Sequence, residues 1–161
     1  MRSILRLILL LVALVGTAVG TGAEEKENGT DAKARAAVEQ FFKAFKSKDL
    51  EGLVETADVP FCREGGKNIE KRDDLERFFR KALRARDPSK DTIVIKLVTT
   101  LPKLEESDGK FTDDERKVVE DVLGKDHRVV KVEWNRFGEG VHKTLIFVCL
   151  QDGKAKVAGI I

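Results

Sequence analysis

The chain has no tyrosine and only one tryptophan, two histidines and two cysteines among its 161 residues. Without tyrosine, one side chain that enzymes use as a proton donor is missing. The histidines and cysteines do not occur at the close spacings of metal-binding motifs, so no metal site is predicted. Phosphate-binding loops, Gly-x-Ser-x-Gly elbows and His-Glu-x-x-His motifs are also absent from the sequence, and we expect no cofactor.

Neither sign of charge is in large excess. The chain has 30 Lys+Arg and 28 Asp+Glu, and the first 23 residues contain Arg2 and Arg6 but no acid. The rest of the chain therefore carries 28 charges of each sign. A basic surface of the kind that binds nucleic acid is not indicated, and a basic groove with stacked aromatic residues is missing. We expect no nucleic-acid partner.

The one long apolar run lies at the N-terminus. Arg2 and Arg6 precede the apolar segment Leu7–Val15, and small residues follow as far as Ala23. This pattern is typical of a secretory signal peptide over residues 1–23. Cleavage near Ala23, or alternatively after Gly20, would export the protein to the periplasm or the cell exterior without a stable membrane span. The alternative is an uncleaved N-terminal membrane anchor, although the apolar run is shorter than the ~20 residues of a spanning helix.

Residues 24–30 are polar and predict a flexible linker, so the folded domain is expected over residues 31–161. Apolar residues at three- and four-residue spacing predict a helix over Asp31–Lys46. Asp49 is expected to cap a short helix that runs to Ala57. A third helix is predicted from Asp73 or Asp74 to about Arg84.

A β-branched segment predicts a strand over Thr92–Leu101. Pro102 is expected to end this strand, and Lys103–Lys110 is predicted to be a charged loop. Thr112 to Glu115 forms a capping box, which predicts an additional helix at about 112–123. In the strand predicted over Thr92–Leu101, Ile93, Ile95 and Leu97 are expected to lie on one side.

The remaining strand signals are short and separated by glycine turns. Leu145 to Leu150 is apolar throughout, which indicates burial of both faces of its strand. Gly65-Gly66, Gly138-Glu139-Gly140 and Gln151–Lys154 are predicted turns. The predicted strands are Val59–Cys62, Arg128–Asn135, Val141–Leu150 and Ala155–Ile161.

The order of these segments resembles that of the nuclear transport factor 2-like superfamily, which includes the SnoaL-like domains. The resemblance covers roughly residues 33–161, and it depends on the order of several short motifs. It implies an α+β fold in which a curved antiparallel sheet wraps around the N-terminal helices as a cone with an internal pocket. The helix at 112–123 is extra, and would either cover the mouth of the cone or pack outside it. The motifs are Ala37–Phe42, Lys48–Leu53, Asp58–Phe61, Gly65-Gly66, Asp74–Phe79 and Asp152–Ile160.

The alternative fold is a cystatin-like domain, which would not need the helix after Gly66. The superfamily contains isomerases, cyclases, dehydratases and epoxide hydrolases, and also members without catalysis. Its fold therefore implies no reaction. The main hypothesis is a non-catalytic binding module for a small apolar or amphipathic ligand. Its pocket would be lined by Phe41, Phe45, Phe61 and Trp134, unless these residues fill the core completely.

A second hypothesis is a lyase or isomerase that abstracts a proton with Asp58 or His142. A third is an assembly module that forms a homodimer through the outer face of the sheet, with Ile146 and Val148 in the interface. Cys62 and Cys149 could form one disulfide in an exported chain, and buried free thiols are equally compatible with their apolar surroundings.

Overall fold

The computed structural model describes residues 29–63, 68–108, 113–123 and 126–161. The predicted signal peptide and the Gly65-Gly66 turn lie outside these residues. The predicted linker reaches them only at Gly29 and Thr30, which already belong to the first helix. Over the described ranges, no helix combines the length and apolar character that crossing a membrane would require.

Three helices form the N-terminal part of the fold: α1 (Gly29–Lys46), α2 (Leu50–Thr56) and α3 (Arg72–Ala85). The first helix ends before Lys48, which has a positive φ of 58°. Asp49 then caps α2 by accepting a hydrogen bond from the Gly52 backbone N–H at 2.9 Å, as its position predicted. The presence of α3 decides against the cystatin-like alternative.

Five strands form one curved, unclosed sheet in the order β1-β5-β4-β3-β2. Strand β1 pairs parallel with β5, and the other neighbours are antiparallel. The predicted cone-shaped α+β fold is confirmed. Strands β1, β3 and β4 are slightly longer than predicted, whereas β2 ends two residues earlier and β5 is shifted by one residue. The strands are β1 (Ala57–Arg63), β2 (Thr92–Thr99), β3 (His127–Arg136), β4 (Gly140–Gln151) and β5 (Lys154–Ile160).

The concave face of the sheet is the face that packs against α1, α2 and α3. Except at the register shifts, alternate residues of each strand point to this face and contribute their side chains to the main core. The alternate residues Val130, Val132 and Trp134 of β3 lie on this face and are buried. The core includes Phe41, Phe42, Phe61, Phe79, Val130, Val132, Trp134, Ile146 and Val148.

The convex face is covered by two further helices, α4 (Leu101–Asp108) and α5 (Asp113–Leu123). The predicted extra helix therefore exists, and it packs outside the cone. Its cover explains why Phe147 and Cys149 of β4 are buried although they point away from the main core. This second core consists of Cys62, Leu101, Leu104, Val119, Val122, Leu123, Val129, Phe147, Cys149 and Ala158.

Burial of both faces of β4 confirms the prediction from its apolar run, but it corrects the assembly hypothesis. Ile146 and Val148 lie in the main core on the concave face and are fully buried. They cannot contribute to a dimer interface, because the helices already cover them.

The segment after Pro102 corrects another prediction, since Lys103 to Asp108 belongs to α4 and is not a loop. Proline is tolerated in the first turn of a helix, where its missing N–H has no intrahelical partner. Pro102 is the second residue of α4, while Leu101 and Leu104 are buried one turn apart. The three-residue spacing of these leucines was the signal for a helix.

Strand β2 contains an irregularity that changes its predicted inward face. Its register with β3 shifts between Ile95 and Leu97. Ile93 and Ile95 pack against the main core as predicted, but Leu97 is 40% exposed and Val98 takes the inward position. An inserted residue reverses the alternation of a strand beyond it.

Candidate functional site

A cavity of about 350 Å³ lies between α1, α3 and the concave face of the sheet. Phe41 and Phe45 reach it from α1, Phe61 from β1 and Trp134 from β3. The structure therefore brings together all four side chains that the sequence predicted for a pocket. Most of the remaining surface is also apolar, from Phe78, Phe79, Ala82, Ala85 and Ile160.

Edge-to-face contacts between the rings hold the wall of the cavity in place. Phe79 lies at 5.6 Å from the ring centroids of both Phe41 and Phe61. Trp134 makes similar contacts with Phe42 at 5.2 Å and with Phe45 at 5.6 Å. Such pairs each contribute about 0.5–1.5 kcal/mol beyond the burial of their area. The cavity is therefore formed in advance by packed aromatic side chains.

Three arginines also line the cavity, and the sequence analysis did not identify them. Arg63 lies at the end of β1, Arg86 follows the last residue of α3, and Arg136 ends β3. These positions are far apart in the sequence and share no motif. Only the parallel pairing of β1 with β5 and the packing of α3 bring them to one opening.

Asp91 is the buried anchor of this region, with a side chain that is only 1% exposed. It accepts hydrogen bonds from Trp134 Nε1 at 2.8 Å, from the Phe137 backbone N–H at 3.1 Å and from Arg86 Nη1 at 3.0 Å. A second bond from Arg86 makes that ion pair bidentate. This carboxylate therefore fixes the orientation of both the indole and one guanidinium at the cavity.

The pKa of Asp91 reflects opposing effects. Burial alone would raise it, but the hydrogen bonds from Arg86, Phe137 and Trp134 and the charge of Arg86 outweigh burial and hold the pKa below its usual value. The pKa of Arg86 is raised, chiefly by its hydrogen bond to Asp91. The pair is therefore ionised at neutral pH.

Arg136 has a different environment. Its guanidinium lies 4.3 Å from the Trp134 ring centroid, and Arg86 lies 5.3 Å from the same ring. Nη1 of Arg136 is 3.5 Å from a carboxylate oxygen of Glu139, a pair that water reaches. Its Nε is buried and has no acceptor among the described residues. Arg136 thus retains an unsatisfied donor beside the cavity.

The structure does not bring the two predicted catalytic residues to the cavity. In β1, Ala57, Val59 and Phe61 contact the main core, so Asp58 points to the convex face. Its Oδ1 accepts a hydrogen bond from the Val59 backbone N–H at 3.0 Å, and its charge acts on Cys149 in the second core. The prediction of Asp58 as a base inside the cone is therefore wrong in its placement.

His142 pairs with Trp134 across β3 and β4, so both side chains lie on the concave face. His142 is half-buried, and it does not line the cavity. Its Nε2 is buried without a hydrogen-bond partner in the described part of the chain. Asp58 and His142 are on opposite faces of the sheet and cannot act as a pair.

Cys62 and Cys149 are both buried free thiols. Their strands, β1 and β4, are separated by β5, and two strand spacings of about 4.8 Å exceed the Cα separation of about 7 Å that a disulfide tolerates. Of the two alternatives that the sequence left open, the structure therefore has the buried free thiols and not the disulfide. Burial raises the pKa of Cys62, and burial together with the charge of Asp58 raises that of Cys149 to about 11.

A larger and more open groove of about 660 Å³ lies between α2 and α3. Three of its six lining residues are Glu51, Glu55 and Glu76, and Arg72 bridges it by donating a hydrogen bond to the Val54 carbonyl at 2.8 Å. It lacks an aromatic wall, so we regard the smaller aromatic cavity as the better site for a ligand. No cluster of metal-ligating side chains occurs within the described ranges.

Comparison with known proteins relates this fold to several solved structures. A ketosteroid isomerase-like protein from Erwinia carotovora atroseptica is 15% identical with a TM-score of 0.52, over 83% of this chain and 94% of that one. A DUF3225-family protein of unknown function from Pectobacterium atrosepticum is 19% identical with a TM-score of 0.52, over 82% of this chain and 88% of that one. A de novo designed protein with a curved β-sheet is 13% identical with a TM-score of 0.50, over 79% of this chain and 95% of that one. No family model and no curated protein matches the chain. At these identities the likeness concerns the fold alone.

Proposed function

We propose that the protein binds a small apolar or amphipathic molecule without catalysis. The chain has the nuclear transport factor 2-like fold, in which function depends on the side chains inside the cone and not on the fold itself. The observation that carries this proposal is the aromatic cavity of about 350 Å³. Its volume falls within the ~300–1,000 Å³ typical of ligand sites, and such sites are mostly apolar with few polar groups.

The side chains around the cavity favour binding over the proton-transfer alternative. Among the described residues, no carboxylate, histidine or cysteine lines it, and Asp58 and His142 lie elsewhere. A general base must come within ~2.6–3.2 Å of the proton that it removes. The residues present at the cavity offer apolar contact and guanidinium donors, which bind a molecule but do not abstract its protons.

Export of the binding domain is part of the proposal. Its support is the basic start of the chain, the apolar segment Leu7–Val15 and the small residues up to Ala23. A protein exported in this way would meet its ligand in the periplasm or outside the cell. N-terminal sequencing of the secreted protein tests this part, and an intact N-terminus in a membrane fraction would contradict it.

The binding proposal is tested by filling the cavity. Ala82 lines the cavity on α3, whereas Ala36 is exposed on α1, so Ala82→Leu and Ala36→Leu form a matched pair. The probe is N-phenylnaphthylamine, a neutral dye that fluoresces in apolar surroundings. Wild type and Ala36→Leu should bind it and gain thermal stability. At a hundredfold excess over Kd the gain is about 2.7 kcal/mol, a shift of about 5–10 °C in Tm.

Ala82→Leu should fold with at least the wild-type Tm, because leucine occupies empty space, but it should lose most of the dye binding. Equal dye binding by Ala82→Leu and Ala36→Leu would show that the dye sits elsewhere. Failure of all three proteins to bind any apolar probe would overturn the proposed function.

A further inference from the structure

The charges around the aromatic cavity indicate what kind of molecule it accepts. We infer that the ligand is an anionic amphiphile, with an apolar body in the cavity and a carboxylate at its mouth. This inference rests on the proposed function above. It starts from the fact that the charged residues among the described lining, Arg63, Arg86 and Arg136, are all arginines.

The arginines are not a reflection of the overall charge of the chain. Beyond the first 23 residues, positive and negative residues are equal in number. The groove between α2 and α3 shows the opposite local sign, with three glutamates and one arginine. In the part of the chain that the structure describes, a lining with three cations and no anion is therefore a local property of the aromatic cavity.

The arrangement of exposed and buried residues gives the cavity a direction. Phe41, Phe61 and Phe79 are buried and form its floor, whereas Arg63 and Ala85 are exposed and mark its opening. A ligand with an apolar body can place that body on the aromatic floor. Its polar end then lies at the level of the guanidinium groups.

Two of the three arginines are available to such a polar end. Arg86 is held by Asp91 through a bidentate ion pair, so its charge is largely neutralised. No described carboxylate forms an ion pair with Arg63. Within the described ranges, Arg136 has only the long, partly exposed contact with Glu139. The planar guanidinium donors match a carboxylate in bidentate geometry.

Arg136 is also positioned by its surroundings. It stacks on Trp134, whose indole is fixed by Asp91, and its buried Nε lacks an acceptor in the described part of the chain. A buried donor without a partner costs free energy, and a ligand oxygen would remove that cost. Arg136 is thus the main candidate for binding the anion, with Arg63 as a second contact at the rim.

The volume limits the apolar body. A volume of 350 Å³ corresponds to roughly twelve water molecules at about 30 Å³ each. An eight-carbon chain or a compact three-ring aromatic molecule such as N-phenylnaphthylamine is of about this size. Octanoate, octanol and octylamine each contain eight carbons and differ in the head group and its charge, so they form a suitable series of probes.

The experiment measures how well each probe displaces N-phenylnaphthylamine from the full chain. Octanoate should displace the dye at a concentration at least tenfold lower than octanol, and octylamine should be weakest. Added salt should reduce the advantage of octanoate without affecting octanol, because exposed charges are screened. The double variant Arg63→Gln/Arg136→Gln should bind octanoate no better than octanol, while octanol binding changes less than twofold.

Arg77→Gln is the matched control, since Arg77 is a 77% exposed arginine of α3 that does not line the cavity. It should keep the full preference for octanoate. If the stacked Arg136 is needed for folding, Arg63→Gln alone should still lower the preference severalfold, because Arg63 is exposed. Arg136→Lys should retain part of the preference through its charge.

Two results would overturn the inference. Equal displacement by octanoate and octanol in the wild type would remove the anion preference and leave the apolar binding site intact. Retention of the full preference in the double variant would place the anion elsewhere. If none of the probes binds, the proposed function fails together with the inference.

Discussion

Replacement of Asp91 tests whether a single buried carboxylate organises the opening of the cavity. Asp91→Ala would leave Trp134 Nε1 and the Phe137 N–H without an acceptor and would separate Arg86 from its counter-charge. Asp91→Asn is the milder change, because its amide oxygen can still accept one hydrogen bond while the charge is removed.

The expected cost follows from these contacts. A buried donor that loses its acceptor costs about 1–3 kcal/mol, and a hydrogen bond to a charged group contributes about 1.5–3 kcal/mol. Because Arg86 is 22% exposed and can regain water, we count it at the low end. We therefore expect a loss of about 3–5 kcal/mol in the free energy of unfolding for Asp91→Ala and about 1.5–3 kcal/mol for Asp91→Asn.

Urea unfolding followed by the fluorescence of Trp134, the one tryptophan, measures both losses. Glu76→Gln serves as a control, because its i,i+4 pair with Arg80 is about half exposed and should contribute only ~0.3–0.5 kcal/mol. A loss of less than about 1 kcal/mol for Asp91→Ala, similar to that of the control, would refute the role of this carboxylate as an anchor.

The same carboxylate should also give a pH dependence. The pKa of Asp91 is lower in the folded than in the unfolded protein, so its stabilisation is complete above the unfolded value of about 3.9. It is lost as the pH falls through the folded pKa, because the unfolded chain binds the proton first. Wild type should therefore lose more stability than Asp91→Asn between neutral pH and pH values below about 4. Parallel stability curves would contradict this.

Three further predictions concern the second core and the sheet. Phe147→Ala should lower the free energy of unfolding by about 3–5 kcal/mol, because Phe147 is buried. Phe137→Ala, at a 64% exposed position, should change it by less than about 1 kcal/mol. Equal effects of the two substitutions in urea unfolding would show that α4 and α5 do not cover the sheet. Gly159→Ala should destabilise the folded protein by about 1–3 kcal/mol, since the added Cβ would lie 2.7 Å from the Cys62 Cβ and 2.9 Å from the Cys62 carbonyl oxygen. A thermal melt with unchanged Tm would disprove the close approach of β1 and β5. Cys149, with its pKa raised to about 11, should react with iodoacetamide at pH 8 only after unfolding; rapid modification of the native protein would show an accessible thiol.

Local sequence patterns were sufficient to predict four of the five described helices and the presence of each described strand. The spacing of apolar residues in α1 identifies the stripe that includes Phe41 and Phe45, because side chains three and four residues apart lie on one helical face. Val130, Val132 and Trp134 alternate along β3, and all three lie on the concave face. The aromatic wall that the sequence predicted consists of Phe41, Phe45, Phe61 and Trp134.

Periodicity failed where a local signal had two structural outcomes. Pro102 is compatible with the end of a strand and with the first turn of a helix, and burial of Leu101 and Leu104 against the convex face selects the helix. The irregularity of β2 depends on pairing with β3, so no feature of β2 alone indicated that Val98 would replace Leu97. Asp58 was considered as a base because it lies at the junction of a helix and the first strand, and only the packing of Ala57, Val59 and Phe61 against the main core places it on the convex face.

The amino-acid pattern thus set which side chains share the face of one element, since that depends on the 3.6-residue and two-residue periods of the backbone. Packing determined which elements meet. Arg63, Arg86 and Arg136 come from three elements, and they surround one cavity only because the sheet curves over α1 and α3. Contacts between residues distant in sequence, such as that of Asp91 with Trp134, leave no periodic signal, because they form only when the chain folds.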